Sequence, residues 1–149
     1  MPIFETSFTV AAPLAAVAAF HSSTLALAQL TPPPIFAQLR HIEPLGEGSR
    51  AEFTLWFGPF PVRWSAVHSR VDPLHGFTDT QVSGPLAAWQ HTHRFDALDA
   101  RSTRVREHIE YTYPPGWRGL LPRLLFNPLA LRGMFAYRAW ATRRLVRPT

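Results

Sequence analysis

The chain has 149 residues, 46% of them hydrophobic, which suits one globular domain over 1–149 and not a disordered segment. Cysteine is absent, which excludes thiolate catalysis, zinc–thiolate centres and disulfides. The net charge of +5 rests on arginines scattered from Arg40 to Arg147, dense only after Arg138 and without a basic motif, so nucleic acid is not an expected partner.

In chain order, the weakly alternating run IFETSFTV (3–10) reads as a strand. Pro13 suits the first turn of a helix over LAAVAAFHSS. A second short helix, TLALAQL, follows with Thr24 as its expected N-cap, and Pro32, Pro33 and Pro34 end it. The run VAAPLAAVAAF imitates the apolar core of a signal peptide, but Glu5 stands where basic residues would and a proline interrupts it. We read it as mature protein and expect a cytoplasmic location. No stretch approaches the roughly 18 apolar residues of a membrane-crossing helix.

The middle of the chain is β-rich. FAQLRHIEPL, RAEFTLWF, VRWSAVHSRV, GFTDTQVSG, AAWQHTHRFDAL and STRVREHIEYTY follow at about ten-residue spacing, parted by Gly, Pro and polar turns, as in an antiparallel meander. GPFP joins the second and third of these as a hairpin. After Pro114-Pro115 the pattern becomes helical, and Pro122 and Pro128 divide it to leave one long helix over 129–146. The expected architecture is α+β: an antiparallel sheet of six or seven strands, two short helices after the first strand, and a long C-terminal helix over the open face.

Polar residues interrupt the inner faces at three places. In WQHTHRF, alternation puts Trp89, His91, His93 and Phe95 on one face and Gln90, Thr92 and Arg94 on the other. In the last strand Val105, Glu107, Ile109, Tyr111 and Tyr113 share the buried face. On a helical wheel Ala130, Met134, Tyr137, Ala141 and Leu145 form a stripe, widened by Leu131 and Phe135, with Arg132, Arg143 and Arg147 opposite. Arg138 falls inside the stripe, where an unpaired guanidinium is costly. His91, His93, Glu107 and Arg138 therefore converge on one interior.

Three readings fit that convergence. The histidines and Glu107 could ligate a metal, against which stand the lack of a third histidine or an Asp cluster and the charge of Arg138. A His–Glu acid–base pair would have its tautomer fixed by the carboxylate. The plainest reading is a buried Arg–Glu–His network lining a mostly apolar pocket, with Glu107 or an anionic group on a ligand as the partner of Arg138. Alternation leaves the facing of 62–71 open, with Trp64 inward beside Val62 and Ala66 in one option. Trp56, Trp117 and Trp140 read as core or rim packing, and His21, His41, His68, His75 and His108 belong to no evident constellation.

The stretches FGPFPVRW, FTDTQVSGPLAAWQHTHRF and REHIEYTYPPG, with FAYR at 135–138, resemble the SRPBCC superfamily, also called START-like or birch-pollen-allergen-like, in its small bacterial stand-alone members. The resemblance runs along nearly the whole chain. It implies a helix-grip fold, a curved sheet wrapped around the terminal helix and enclosing an apolar cavity. It further implies binding of a hydrophobic or amphipathic small molecule such as a lipid or polyketide, with no cofactor. A cyclase/dehydratase-type enzyme using the His–Glu pair is the alternative. The expected ligand contacts are Trp64, Trp89, His91, His93, Phe95, Glu107, Ile109, Tyr111, Met134 and Arg138. Some bearers of the motif carry an epimerase label; this chain has no G-x-G-x-x-G unit for a dinucleotide. Contact with a membrane surface through the arginine-rich terminal helix stays open.

Overall fold

A computed structural model describes residues 2–146. Seven strands form one antiparallel sheet: β1 (Ile3–Val10), β2 (Phe36–Ile42), β3 (Arg50–Phe57), β4 (Phe60–Asp72), β5 (Gly76–Ser83), β6 (Ala88–Asp99) and β7 (Ser102–Thr112). Their spatial order is β1-β7-β6-β5-β4-β3-β2, so β2 to β7 are a meander and β1 closes on β7. Short turns join successive strands from β2 to β7, which permits only antiparallel neighbours there. The helices are α1 (Leu14–Ser22), α2 (Ala26–Gln29), α3 (Leu120–Leu125) and α4 (Pro128–Leu145), with a 3-10 turn at Gly116–Gly119 before α3.

The α4 helix starts sharply. Asn127 caps it by accepting the Ala130 N–H at 2.9 Å, and Pro128 follows with a preset φ and no N–H to orphan. Its buried residues Leu131 and Phe135 join Trp64, Trp89, Ile109, Tyr111 and Phe126 in the main core. A second cluster packs Val17 and Ala18 of α1 on Phe95 and Val105, and a small third one joins Ala26 and Leu30 to Ala141. The two short helices are thus clamped between the sheet and α4. Among the described residues no helix is long and apolar enough to cross a membrane.

Several local expectations are corrected. Thr24 is not an N-cap: α2 is a single turn led by Leu25 without a side-chain cap, and the hydroxyl of Ser23 takes the Leu25 N–H instead. The β2 strand stops at Ile42, after a register shift between Leu39 and His41 and before Pro44, which cannot donate to the ladder. Pro122 does not divide the helical tail, because it sits in the first turn of α3, where its missing N–H costs little; the break falls at Phe126 and Asn127. The buried line of α4 is turned toward Leu131, Phe135 and Thr142, leaving Met134 and Tyr137 half-buried and placing Arg138 at its centre. Leu145 is exposed at the helix end, and Val146 turns in under α1 in its place. Trp117 and Trp140 are exposed, not core. Arg132 and Arg143 face solvent, and Arg147 lies outside the described residues.

Candidate functional site

Strand alternation and register assemble the site. Trp89, His91, His93 and Phe95 of β6 are buried, as are Val105, Glu107, Ile109 and Tyr111 of β7. His93 pairs across the ladder with Glu107, and on the other side β5 places Phe77 opposite His93 and Asp79 opposite His91. Gly76 makes this close approach possible. It has φ +134°, and a Cβ there would collide with the carbonyl oxygen of His93, so β5 enters the sheet at a point open to glycine alone.

The contacts run diagonally across the pairs. His91 Nε2 lies 2.6 Å from Glu107 Oε2, and His93 Nε2 lies 2.9 Å from Asp79 Oδ2. His93 Nδ1 is 3.0 Å from Glu107 Oε2 but off the hydrogen-bonding direction, so that contact is ionic only. The two imidazoles lie side by side, ring centroids 3.8 Å apart. Glu107 is only 3% exposed, whereas Asp79, at 20%, presents its free surface to the space beyond.

Burial opposes charge on every member, and the outcome depends on partners. For His93 the desolvation cost is outweighed by Glu107 and Asp79, which hold its pKa up to about 9. Burial, reinforced by the charge on His93, pushes His91 below its ordinary value despite the two carboxylates. Glu107 overcomes its own burial through His93 and His91 and stays well below the usual carboxylate range; Asp79 is lowered likewise. At neutral pH the cluster is therefore two carboxylates, one imidazolium and one neutral imidazole. Ionised Glu107 can only accept, so His91 donates from Nε2 and leaves Nδ1 as a lone pair, 3.7 Å from Asp79.

This cluster forms one side of a cavity of about 170 Å³. Phe53, Trp64, Phe77, Trp89 and Phe126 supply aromatic walls, and Ser23, Thr24 and Glu43 bring the lining to the surface between the short helices and the β2–β3 connection. Trp64 faces inward with Val62 and Ala66, which resolves the facing of β4. Of the residues expected at the ligand, Trp64, Trp89, His91, His93, Met134 and Arg138 line the cavity. Four do not. Phe95 sits beyond it, 4.8 Å from the ring of His21; Ile109 and Tyr111 belong to the core beneath α4; Glu107 stands behind the two imidazoles.

Arg138 does not pair with Glu107, whose carboxylate is taken by the histidines. Its guanidinium lies over the ring of Phe135 at 5.0 Å, and its Nε is buried without a partner. Asp79, His68 and His21 are among the lining residues that sequence reasoning missed. Asp79 shares parity with Phe77, the one signal that could have placed it inward. His68 bonds Ser49 Oγ at 2.9 Å, and His21, pushed down to about 4 by burial, bonds the carbonyl of Val17 at 3.0 Å.

For the metal reading, Asp79 and not Glu107 is the third residue: it, His91 and His93 each offer one atom within 4.8 Å of the others. Against a cation there, His93 Nε2 already donates to Asp79, and Arg138 faces the same cavity. What the cluster does offer is a neutral imidazole with a free Nδ1 beside a protonated one, a base and an acid at one cavity wall.

No family model and no curated protein sequence matches this chain. Solved structures do. Protein CV1439 from Chromobacterium violaceum superposes with a TM-score of 0.80 at 14% identity, over 100% of both chains. Norcoclaurine synthase from Thalictrum flavum, in complex with dopamine and hydroxybenzaldehyde, superposes at 0.71 with 21% identity, over 97% of this chain and 86% of that one. The Zhui aromatase/cyclase from Streptomyces sp. R1128 follows at 0.69 and 18%, over 97% and 95%. The seven-stranded curved sheet, the short helices after β1 and the long terminal helix give this chain the helix-grip fold of these structures.

Proposed function

We propose that the chain binds a hydrophobic or amphipathic small molecule, a polyketide or similar aromatic compound before a long-chain lipid, in the cavity between sheet and α4. The observation that carries this reading is the lining itself: aromatic walls with a few convergent polar groups on one side, the usual make-up of a small-molecule site. Norcoclaurine synthase with its two aromatic ligands and the aromatase/cyclase support an aromatic guest. Native mass spectrometry of the purified protein is the direct test. A co-purified small molecule, lost from a Trp64→Glu/Trp89→Glu variant, is expected. Aromatic and lipid extracts that neither bind nor raise the melting temperature would sink the reading.

A second reading is favoured by one specific observation, the juxtaposed neutral and protonated imidazoles. In a cyclase/dehydratase-type reaction His91 Nδ1 would take a proton from an activated carbon and His93 would give one to a departing or enolising oxygen. Glu107 holds both rings and touches no substrate. Turnover of a poly-β-keto analogue, with a rate that falls as His93 deprotonates near pH 9, separates an enzyme from a binder.

A further inference from the structure

We propose that Arg138 is an anion-recognition point, so that the guest of this cavity is an aromatic or otherwise apolar body bearing a carboxylate or an equivalent anion. This inference rests on the cavity-binding reading and narrows it. Arg138 lies at the centre of the buried line of α4 and lines the cavity, yet it forms no ion pair among the described residues. Its Nε is buried without any partner. Both interior carboxylates are engaged elsewhere, Glu107 by His91 and His93, Asp79 by His93. The guanidinium carbon lies 5.0 Å from the centre of the Phe135 ring, and a planar fork of donors fits a carboxylate in bidentate fashion. Asp79 and Glu107 make the surroundings of Arg138 tolerable, but they leave its hydrogen-bonding capacity unused.

The test compares 2-naphthoate with its neutral isostere 2-naphthamide by calorimetry at pH 7.5. Wild-type protein is expected to bind the naphthoate more tightly by about tenfold or more. In Arg138→Met the naphthoate should fall to the level of the amide, the amide changing by less than about threefold, with the melting temperature unchanged or raised. Arg138→Gln, polar but uncharged, repeats the measurement should the Met variant fold poorly. Equal affinity of wild type for both probes, or a preference for naphthoate that survives both variants, overturns the proposal. Failure of both probes to bind wild type overturns the cavity reading as well.

An independent observation carries a second proposal. After Glu110 the sequence has seven arginines and no acidic residue. In the same region Trp117, Leu120, Leu121 and Leu124 recur at i, i+3, i+4 and i+7 and are all exposed, while Gly119, Pro122 and Phe126 are the buried side. The segment is apolar on both faces, which burial in this domain does not explain. Arg118 lies over Trp117 at 5.7 Å and Arg123 over Tyr113 at 5.0 Å, so cations flank the apolar stripe. We infer that this face rests on an anionic lipid bilayer. A second copy of the chain is disfavoured, because a two-fold contact would set arginines against arginines. Wild type should pellet with equimolar phosphatidylcholine–phosphatidylglycerol vesicles and about tenfold less with phosphatidylcholine alone. Leu120→Ser/Leu124→Ser should lose most of that binding at unchanged melting temperature. No pelleting, indifference to lipid charge or to the variant, or a dimer in light scattering that the variant dissolves would each overturn it.

Discussion

Glu107 and Asp79 both touch His93, yet they differ in what their removal exposes. Glu107 is shut in behind the imidazoles, so Glu107→Gln leaves a buried imidazolium without its strongest compensation. The expected cost is about 3 kcal/mol in chemical denaturation, as for other broken buried pairs. Asp79 opens on the cavity, where water can replace it, and Asp79→Asn should cost less than half as much. Equal losses would show that burial depth does not govern the cluster. The same groups set the pH profile. The pKa of His93 is about 9 in the folded chain against an ordinary 6.5, so its stabilising share is complete below 6.5 and is lost as pH rises through 9. His21 works in the other direction: at about 4 when folded, it loses stability as pH falls below 6.5, because the unfolded chain takes the proton first. Glu107, held low, adds a further loss as pH drops beneath its ordinary 4.5. Stability is therefore expected to peak near pH 6.5, to fall by about 3 kcal/mol between pH 6.5 and 9, and to change little above that. His93→Gln should abolish the alkaline fall; an unchanged alkaline limb in that variant refutes the assignment.

At the scale of elements, legibility followed the strength of the periodic signal. The β6 and β7 strands alternate strictly, with Trp, Phe, Ile and Tyr on one parity, so the inward facing of His91, His93 and Glu107 could be read from sequence. The β5 strand, within GFTDTQVSG, has one aromatic among mostly small and polar residues, so its inner face is weakly announced; parity with Phe77 is the single hint of Asp79, and register with His91 places it. Helix α2 was overdrawn because alanine and leucine favour a helix locally, while packing of Ala26 and Leu30 against Ala141 needs one turn only. The Arg138 anomaly was legible, but the fate of its expected partner was not, since the diagonal reach of His91 to Glu107, beside the directly opposite His93, is a matter of side-chain geometry. Gly76 links these elements. A Gly76→Ala change meets both an unfavourable φ and the His93 carbonyl, and should cost about 2 kcal/mol or more. Because it pushes β5 from β6, it should also lower the apparent pKa of His93 by loosening Asp79. A stability loss with no such shift would mean that β5 adjusts without moving Asp79.

Across the whole molecule, charge separates into an interior that balances and a surface that does not. Inside, the charges of Asp79 and Glu107 are matched by His93 and Arg138, with His91 neutral. The exterior holds the excess of arginine, concentrated after Glu110. A divalent cation bound by Asp79, His91 and His93 would expel the His93 proton but still leave a net positive interior, with Arg138 facing the same cavity. That is an unfavourable exchange in a low-dielectric site. The expectation is accordingly that the cluster works without a resident metal. Dialysis against a chelator should leave the melting temperature unchanged, and elemental analysis should find well under one equivalent of zinc, iron or manganese. One equivalent of metal in the purified protein, retained by wild type and lost from Asp79→Asn and from His91→Ala/His93→Ala, would reverse the conclusion. Glu107 would then be the outer carboxylate that orients a ligating His91.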